Sequence, residues 1–320
     1  MHISSGRWLY GLFLALVTAV LWGVLPIWLK EVLQTMDPVT VTWYRLVVAG
    51  SLLFLYLGAN RRLPALRPLG ARGGWLLALA VGGLTGNYVF YLMGLNMLSP
   101  GTTQLVIQVA PILFLLSSLY IFKESFSLGQ AFGLAVTVLG FGLFFNQRLE
   151  ELLNSMSQYT LGVLIILLSA FVWTFYGLAQ KQLLSHWSSA QVMMVIYLGC
   201  AALLTPWAQP MELLSLSPLQ GWLLLACCLN TLVAYGAFAE ALAHWEASRV
   251  SATLAITPLV TFASVAVAAS WWPDHVQPEQ VNWIAYGGAL LVVLGSALTA
   301  LGPSLLAGLR ARKARRLARA

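Results

Sequence analysis

Apolar runs separated by short polar breaks fill the chain. They cover 8–29, 39–58, 74–95, 102–122, 128–145, 160–182, 190–207, 220–243, 249–270 and 282–302. Each is close to the ~20 residues that cross a hydrocarbon core about 30 Å thick as a helix. That layer holds no water, so every backbone N–H and C=O must pair within the chain. The pattern therefore predicts an all-α integral membrane protein with ten transmembrane helices. The first run, Trp8–Leu29, is too long for a signal-peptide core and is followed by no small-residue cleavage site, so it reads as a span.

The pattern repeats. Gly11–Leu33 aligns without a gap on Gly162–Leu184, pairing Gly11 with Gly162, Trp22 with Trp173 and Lys30 with Lys181. GGWLL at 73–77 echoes QGWLL at 220–224, and at that offset Tyr88 falls on Tyr235 and Pro111 on Pro258. A repeat of about half the chain means two related halves. The predicted organisation is a first five-helix repeat over 1–145, a linker over 146–159, a second five-helix repeat over 160–308 and a basic cytoplasmic tail over 309–320. Five spans per half invert the second half relative to the first, the plan of many secondary transporters.

Charge sets the orientation. Cytoplasmic loops collect Lys and Arg. With both termini inside, Arg7, Arg61, Arg62, Arg67, Arg72, Lys123, Lys181, Arg249 and the six basic tail residues lie inside, and only Lys30 and Arg148 lie outside. The net charge of +7 is thus a signal of topology and of contact with membrane lipids, not of nucleic-acid binding. Composition agrees: the chain is 60% hydrophobic and 8% charged, against about 25% charged in soluble domains. Cys200, Cys227 and Cys228 lie within apolar runs and read as buried thiols.

Several residues stand out against this background. Pro111 and Pro258, at matching positions, remove a backbone donor and crowd the carbonyls of Ile107 and Leu254. Matched broken helices point to a transporter site, while a simple kink is the plainer reading. Polar groups inside spans avoid lipid. Asn87, Tyr91, Gln104 and Gln108 cluster near Pro111, and Tyr235 and Thr257 answer them from the second half. Trp22 and Trp173 are placed to wall the same cavity. Interhelical hydrogen bonding and packing are the plainer roles for all of these. Two intramembrane charges remain. Arg45 reads as a structural cation, a gate or an anion contact. Glu240, one turn before His244, reads as an interfacial pair or a proton carrier.

Trp22-Gly23, the Trp43-Tyr44-Arg45-Leu46 run, Pro111 and Pro258, Lys123-Glu124 after the fourth span, and the glycine-spaced fifth and tenth spans follow one another in order. In these features the sequence resembles the EamA-like family of the drug/metabolite transporter superfamily over essentially its whole length. The resemblance implies two five-helix repeats around a central cavity and movement of small organic molecules, often export of amino acids or related metabolites. The second half departs from it: Trp271 stands opposite Glu124, and Ile196 opposite Arg45.

The sequence thus reads as a secondary transporter that exports a small organic metabolite, such as an amino acid, across the inner membrane by alternating access. It needs no cofactor or metal, and a monomer and a homodimer both fit. A scaffold or receptor would not need a polar, proline-broken centre. A membrane-embedded enzyme would need clustered acids and histidines, whereas His2, His186, His244 and His275 are scattered. Single cysteines placed at Asn60 and Asn154 test the orientation. Impermeant thiol reagent should label Asn154→Cys in intact cells and Asn60→Cys only after permeabilisation; the reverse pattern would overturn it.

Overall fold

A computed structural model of the chain describes residues 8–65, 70–122, 128–244, 247–279 and 281–299. Arg7, Arg67, Lys123, Glu124 and the tail 309–320 lie outside the described residues. Among the described residues the fold is helical, with no β-strand.

The helices are α1 (Trp8–Val32), α2 (Pro38–Ala59), α3 (Gly70–Met97), α4 (Pro100–Val106), α5 (Val109–Phe122), α6 (Leu128–Phe144), α7 (Leu149–Asn154), α8 (Gln158–Leu183), α9 (Ser189–Leu204), α10 (Pro218–His244), α11 (Ala247–Leu254), α12 (Thr257–Trp271) and α13 (Trp283–Thr299). Among the described residues, six stretches are long and apolar enough to cross a membrane: Leu9–Val32, Pro38–Ala59, Gly70–Met97, Gln158–Leu183, Pro218–Ala241 and Ala252–Trp271. Three shorter helices, α6, α9 and α13, are also apolar.

Helix starts follow local chemistry. Asp37 caps α2 by accepting from the amides of Val39 and Thr40, with Pro38 in the first turn. Ser99 caps α4 with Pro100 behind it, and Ser217 bonds Gln220 at the start of α10. A proline there gives up only an N–H that has no intrahelical partner. The predicted outer linker is not plain loop: it carries α7, whose N-terminal flank pairs Arg148 with Glu151 at 3.1 Å.

The fourth and ninth runs each carry a break in the helix. The breaks fall at Ile107–Gln108, three to four residues before Pro111, and at Ala255–Ile256, two to three residues before Pro258. That is where the missing proline donor leaves the i−4 carbonyl unpaired. The two freed carbonyls have different fates. That of Ile107 is taken back locally by the amide of Ala110 at 2.9 Å, so it is not the free acceptor expected from the sequence. That of Leu254 receives a side chain from the other break.

Packing pairs distant segments. α3 lies along α8, α1 along α10 and α2 along α9, while α12 packs on α1, α5 on α8 and α4 on α12. Close approach depends on glycine. A Cβ at Gly83 of α3 would sit 2.9 Å from the amide nitrogen of Tyr176 in α8. The glycine-spaced fifth and tenth runs pack on each other as α6 and α13: a Cβ at Gly140 would sit 2.6 Å from the Val292 amide nitrogen and 2.8 Å from the Gly288 carbonyl. Small residues let backbones touch, which is how helices associate in lipid.

This close contact yields a test. Gly140→Leu should force α6 and α13 apart and lower the melting temperature of detergent-purified protein, at an overpacking cost of about 1–3 kcal/mol. Gly142→Leu, at a position with open space around it, should leave the melting temperature near wild type.

Candidate functional site

Three rings meet in the core between α1, α3 and α10. Trp22 and Tyr235 lie edge to face with centroids 4.9 Å apart, and Tyr235 lies 5.8 Å from Tyr88. Phe238 adds a fourth ring 5.4 Å from Trp22. α2 delivers Arg45 to this group. Its guanidinium carbon lies 4.6 Å from the centre of the Tyr88 ring, and its Nε donates to Thr231 Oγ1 at 2.9 Å. Arg45 is only 2% exposed. The Trp22 indole nitrogen, the Tyr88 hydroxyl and Asn230 Oδ1 are all buried and make no hydrogen bond of good geometry.

A second constellation lies at the helix breaks. Gln108, in the turn between α4 and α5, donates its side-chain amide to the carbonyls of Leu254 and Ala255 at 3.3 and 3.2 Å. These are the carbonyls at the break between α11 and α12. One turn earlier, Gln104 accepts from the Tyr91 hydroxyl at 2.7 Å. Thr257, just past the second break, is buried and its hydroxyl has no partner. Thr261 donates to the carbonyl of Gly23 at 2.7 Å, fixing α12 to α1.

The structure thus brings Trp22 and Tyr235 together with Arg45, Tyr91 with Gln104, and Gln108 with the backbone beside Pro258. Trp173 sits in α8 against Phe114 and Tyr176, with centroids 6.0 and 6.3 Å away. It packs at the junction of the same two apolar clusters as Trp22. Asn87 is committed elsewhere: its amide donates to Ser169 in α8, at 2.9 Å to the hydroxyl, and the Ser169 hydroxyl donates back to the Asn87 carbonyl. Glu240 is exposed and lies 3.2 Å from His244, the i,i+4 pair of the plainer reading.

Sequence reasoning missed a polar cavity of about 770 Å³ at the end of the molecule where α1 and α3 finish and α4 and α8 begin. Two charges organise its wall. The Lys30 ammonium donates to three carbonyls, Leu95, Asn96 and Leu98, at 2.7, 2.9 and 2.8 Å. It thereby caps the C-terminal end of α3, where the helix dipole favours a cation. Glu279 reaches the start of α4, accepting from the Ser99 hydroxyl and the Gly101 amide, both at 2.6 Å. Burial pushes the Glu279 carboxyl above the usual range; the Ser99 and Gly101 hydrogen bonds and the Lys30 charge pull against that shift. Glu31 and His275 meet at 3.2 Å on the same wall. The Ser-Pro start of α4 was the only local clue to this anchor, since the loop that brings Glu279 lies 180 residues away.

Comparison with known proteins follows from this geometry. A family model described as the EamA-like transporter family matches residues 9–146 and 160–301. The chain is 39% identical, over 94% of its length and 94% of the relative's, to a protein of Escherichia coli (strain K12) named "Uncharacterized inner membrane transporter YhbE". It is 24% identical, over 91% of its length and 94% of the relative's, to a "Probable amino-acid metabolite efflux pump" of Salmonella typhimurium. A crystal structure at 17% identity shares the fold, with a TM-score of 0.64 over 92% of this chain and 98% of that one.

Glu279 gives a pH test with a definite sign. Its folded pKa is raised, so the folded state holds the proton more tightly than the unfolded chain does. The stability that comes from this is fully present below the ordinary value of 4.5 and is lost as pH rises through the raised value. Glu279→Gln can still accept from Gly101 and donate to Ser99 without a charge. Relative to wild type, its melting temperature should rise as pH is raised from 4.5; parallel curves would show that Glu279 does not titrate differently on folding.

Proposed function

Because the chain belongs to the EamA-like transporter family, we propose that it is a secondary transporter that exports a small organic metabolite, such as an amino acid, across the inner membrane by alternating access. The observation that carries this reading is the meeting of the two broken helices, with Gln108 of one break donating to the carbonyls of the other. Irregular backbone at membrane depth is tolerated where it is buried in protein or lines a cavity. A side-chain link between two such breaks can be made or released as the halves rock, whereas an unbroken helix pair offers no such joint.

The inverted two-repeat plan, with 146–159 as linker and both termini cytoplasmic, belongs to the same proposal. The pairings support it. If α1 corresponds to α8 and α3 to α10, the α1–α10 contact is the counterpart of α8–α3, and α1–α12 is the counterpart of α8–α5. The names of the Escherichia coli and Salmonella typhimurium relatives support the membrane and the substrate class.

The test is flux. Purified protein in liposomes loaded with a mixture of amino acids should exchange at least one of them against labelled external substrate. Absence of exchange across the panel would sink the amino-acid reading. Gln108→Ala leaves two buried carbonyls without their donor and should slow exchange about ten-fold or more, ~1.4 kcal/mol, at near-normal membrane abundance. Leu139→Ala, on the exposed face of α6, should exchange at the wild-type rate.

A further inference from the structure

Arg45 is a buried cation that the protein does not neutralise. Among the described residues its only hydrogen bond is from Nε to Thr231, and neither Nη atom has a partner. No described Asp or Glu lies within ion-pair distance of it. A guanidinium keeps its charge in proteins, and an unpaired buried charge costs several kcal/mol. The face of Tyr88, 4.6 Å from the guanidinium carbon, offsets part of this through a cation–π contact. The surroundings do not complete the balance. The Trp22 indole N–H, in the same ring cluster, is buried without an acceptor, and the Tyr88 hydroxyl makes no hydrogen bond of good geometry.

We propose that Arg45 is the anchor for the carboxylate of the transported molecule, and that the substrate class is a small monocarboxylate, in particular the carboxylate end of an amino acid. The two idle Nη groups form the fork that fits one carboxylate side-on. A single guanidinium balances one negative charge, so a phosphate dianion is left half-compensated. The walls suit the rest of such a molecule. Trp22, Tyr88, Tyr235 and Phe238 form an aromatic cluster beside the guanidinium. Asn230, adjacent to Thr231 in α10, presents a buried Oδ1 without a donor, while its Nδ2 is fixed to the carbonyl of Leu21 at 2.7 Å. That oxygen is the acceptor an ammonium group requires. Ionisable groups inside membrane spans face substrate or ion pathways, and Arg45 sits where three helices present their polar groups to one another. The second half has Ile196 in the position matching Arg45, so one anchor serves the site and the substrate binds in one orientation.

This inference rests on the transport reading, and the experiment separates the two. Thermal stabilisation of the detergent-purified protein is measured with the standard L-amino acids and with the corresponding amino-acid amides, which keep the ammonium and side chain but lose the negative charge. At least one acid should stabilise the wild type at a concentration about ten-fold or more below that of its amide, the value of a charge-assisted hydrogen-bond pair. Arg45→Gln should erase that preference, and Arg45→Lys should keep it in weakened form. Stabilisation by no acid, or equal stabilisation by acid and amide, overturns the proposal, and this comparison needs only the wild type, so a variant that fails to fold does not shelter it. Retention of the preference in a folded Arg45→Gln protein overturns it too. A carboxylate preference that depends on Arg45, together with no flux in liposomes, would uphold the anchor and overturn transport.

Discussion

A carbonyl freed by proline inside a lipid layer has no water to bond, and the rest of this structure is arranged around that constraint. Pro111 and Pro258 each free one. The first is recovered within its own turn by the amide of Ala110. The second receives its donor from the other break, through the side chain of Gln108. A defect in one helix is therefore repaired by a side chain from another, and the repair fixes how the broken helices sit against each other. Buried backbone groups left unpaired cost about as much as a lost hydrogen bond, so the two breaks cannot be treated as independent kinks.

The buried charges follow the same economy. Lys30 and Glu279 stand on either side of the short turn between α3 and α4, and backbone groups and one hydroxyl satisfy both. The cation meets the carbonyl end of α3 and the anion the amide end of α4, as the helix dipoles favour. The turn is thus held from α1 on one side and from the loop after α12 on the other. Arg45 differs. Its neighbours are a hydroxyl and an aromatic face, which leave much of its charge uncompensated. The contrast between anchored charges at the helix ends and an under-served one in the core distinguishes framework from candidate binding group.

Aromatic packing ties these features together. Trp22 and Trp173, matched in the repeat, pack at the junction of the same two apolar clusters. Tyr88 and Tyr235, also matched, stand 5.8 Å apart. These two sequence-matched pairs thus lie in the same part of the core. Glycines at the α3–α8 and α6–α13 contacts set how closely the helices approach.

The sequence by itself determined the apolar helices, the glycine spacing of α6 and α13, and the two prolines that disturb their helices, because run length, glycine spacing and the i−4 hydrogen bond are local properties of the chain. It also singled out Trp22, Tyr235, Gln108 and Arg45 as polar or aromatic groups that lipid would not welcome. What each of them touches was decided by the tertiary structure alone. Asn87 and Gln108 are both amides near mid-helix, yet one closes on Ser169 of α8 and the other on carbonyls 146 and 147 residues away. Lys30 looked like an outer topology marker and proved to be the cap of α3. A side chain's partner depends on which helix crosses it and at what depth, and that is fixed by packing between segments, on which local periodicity is silent.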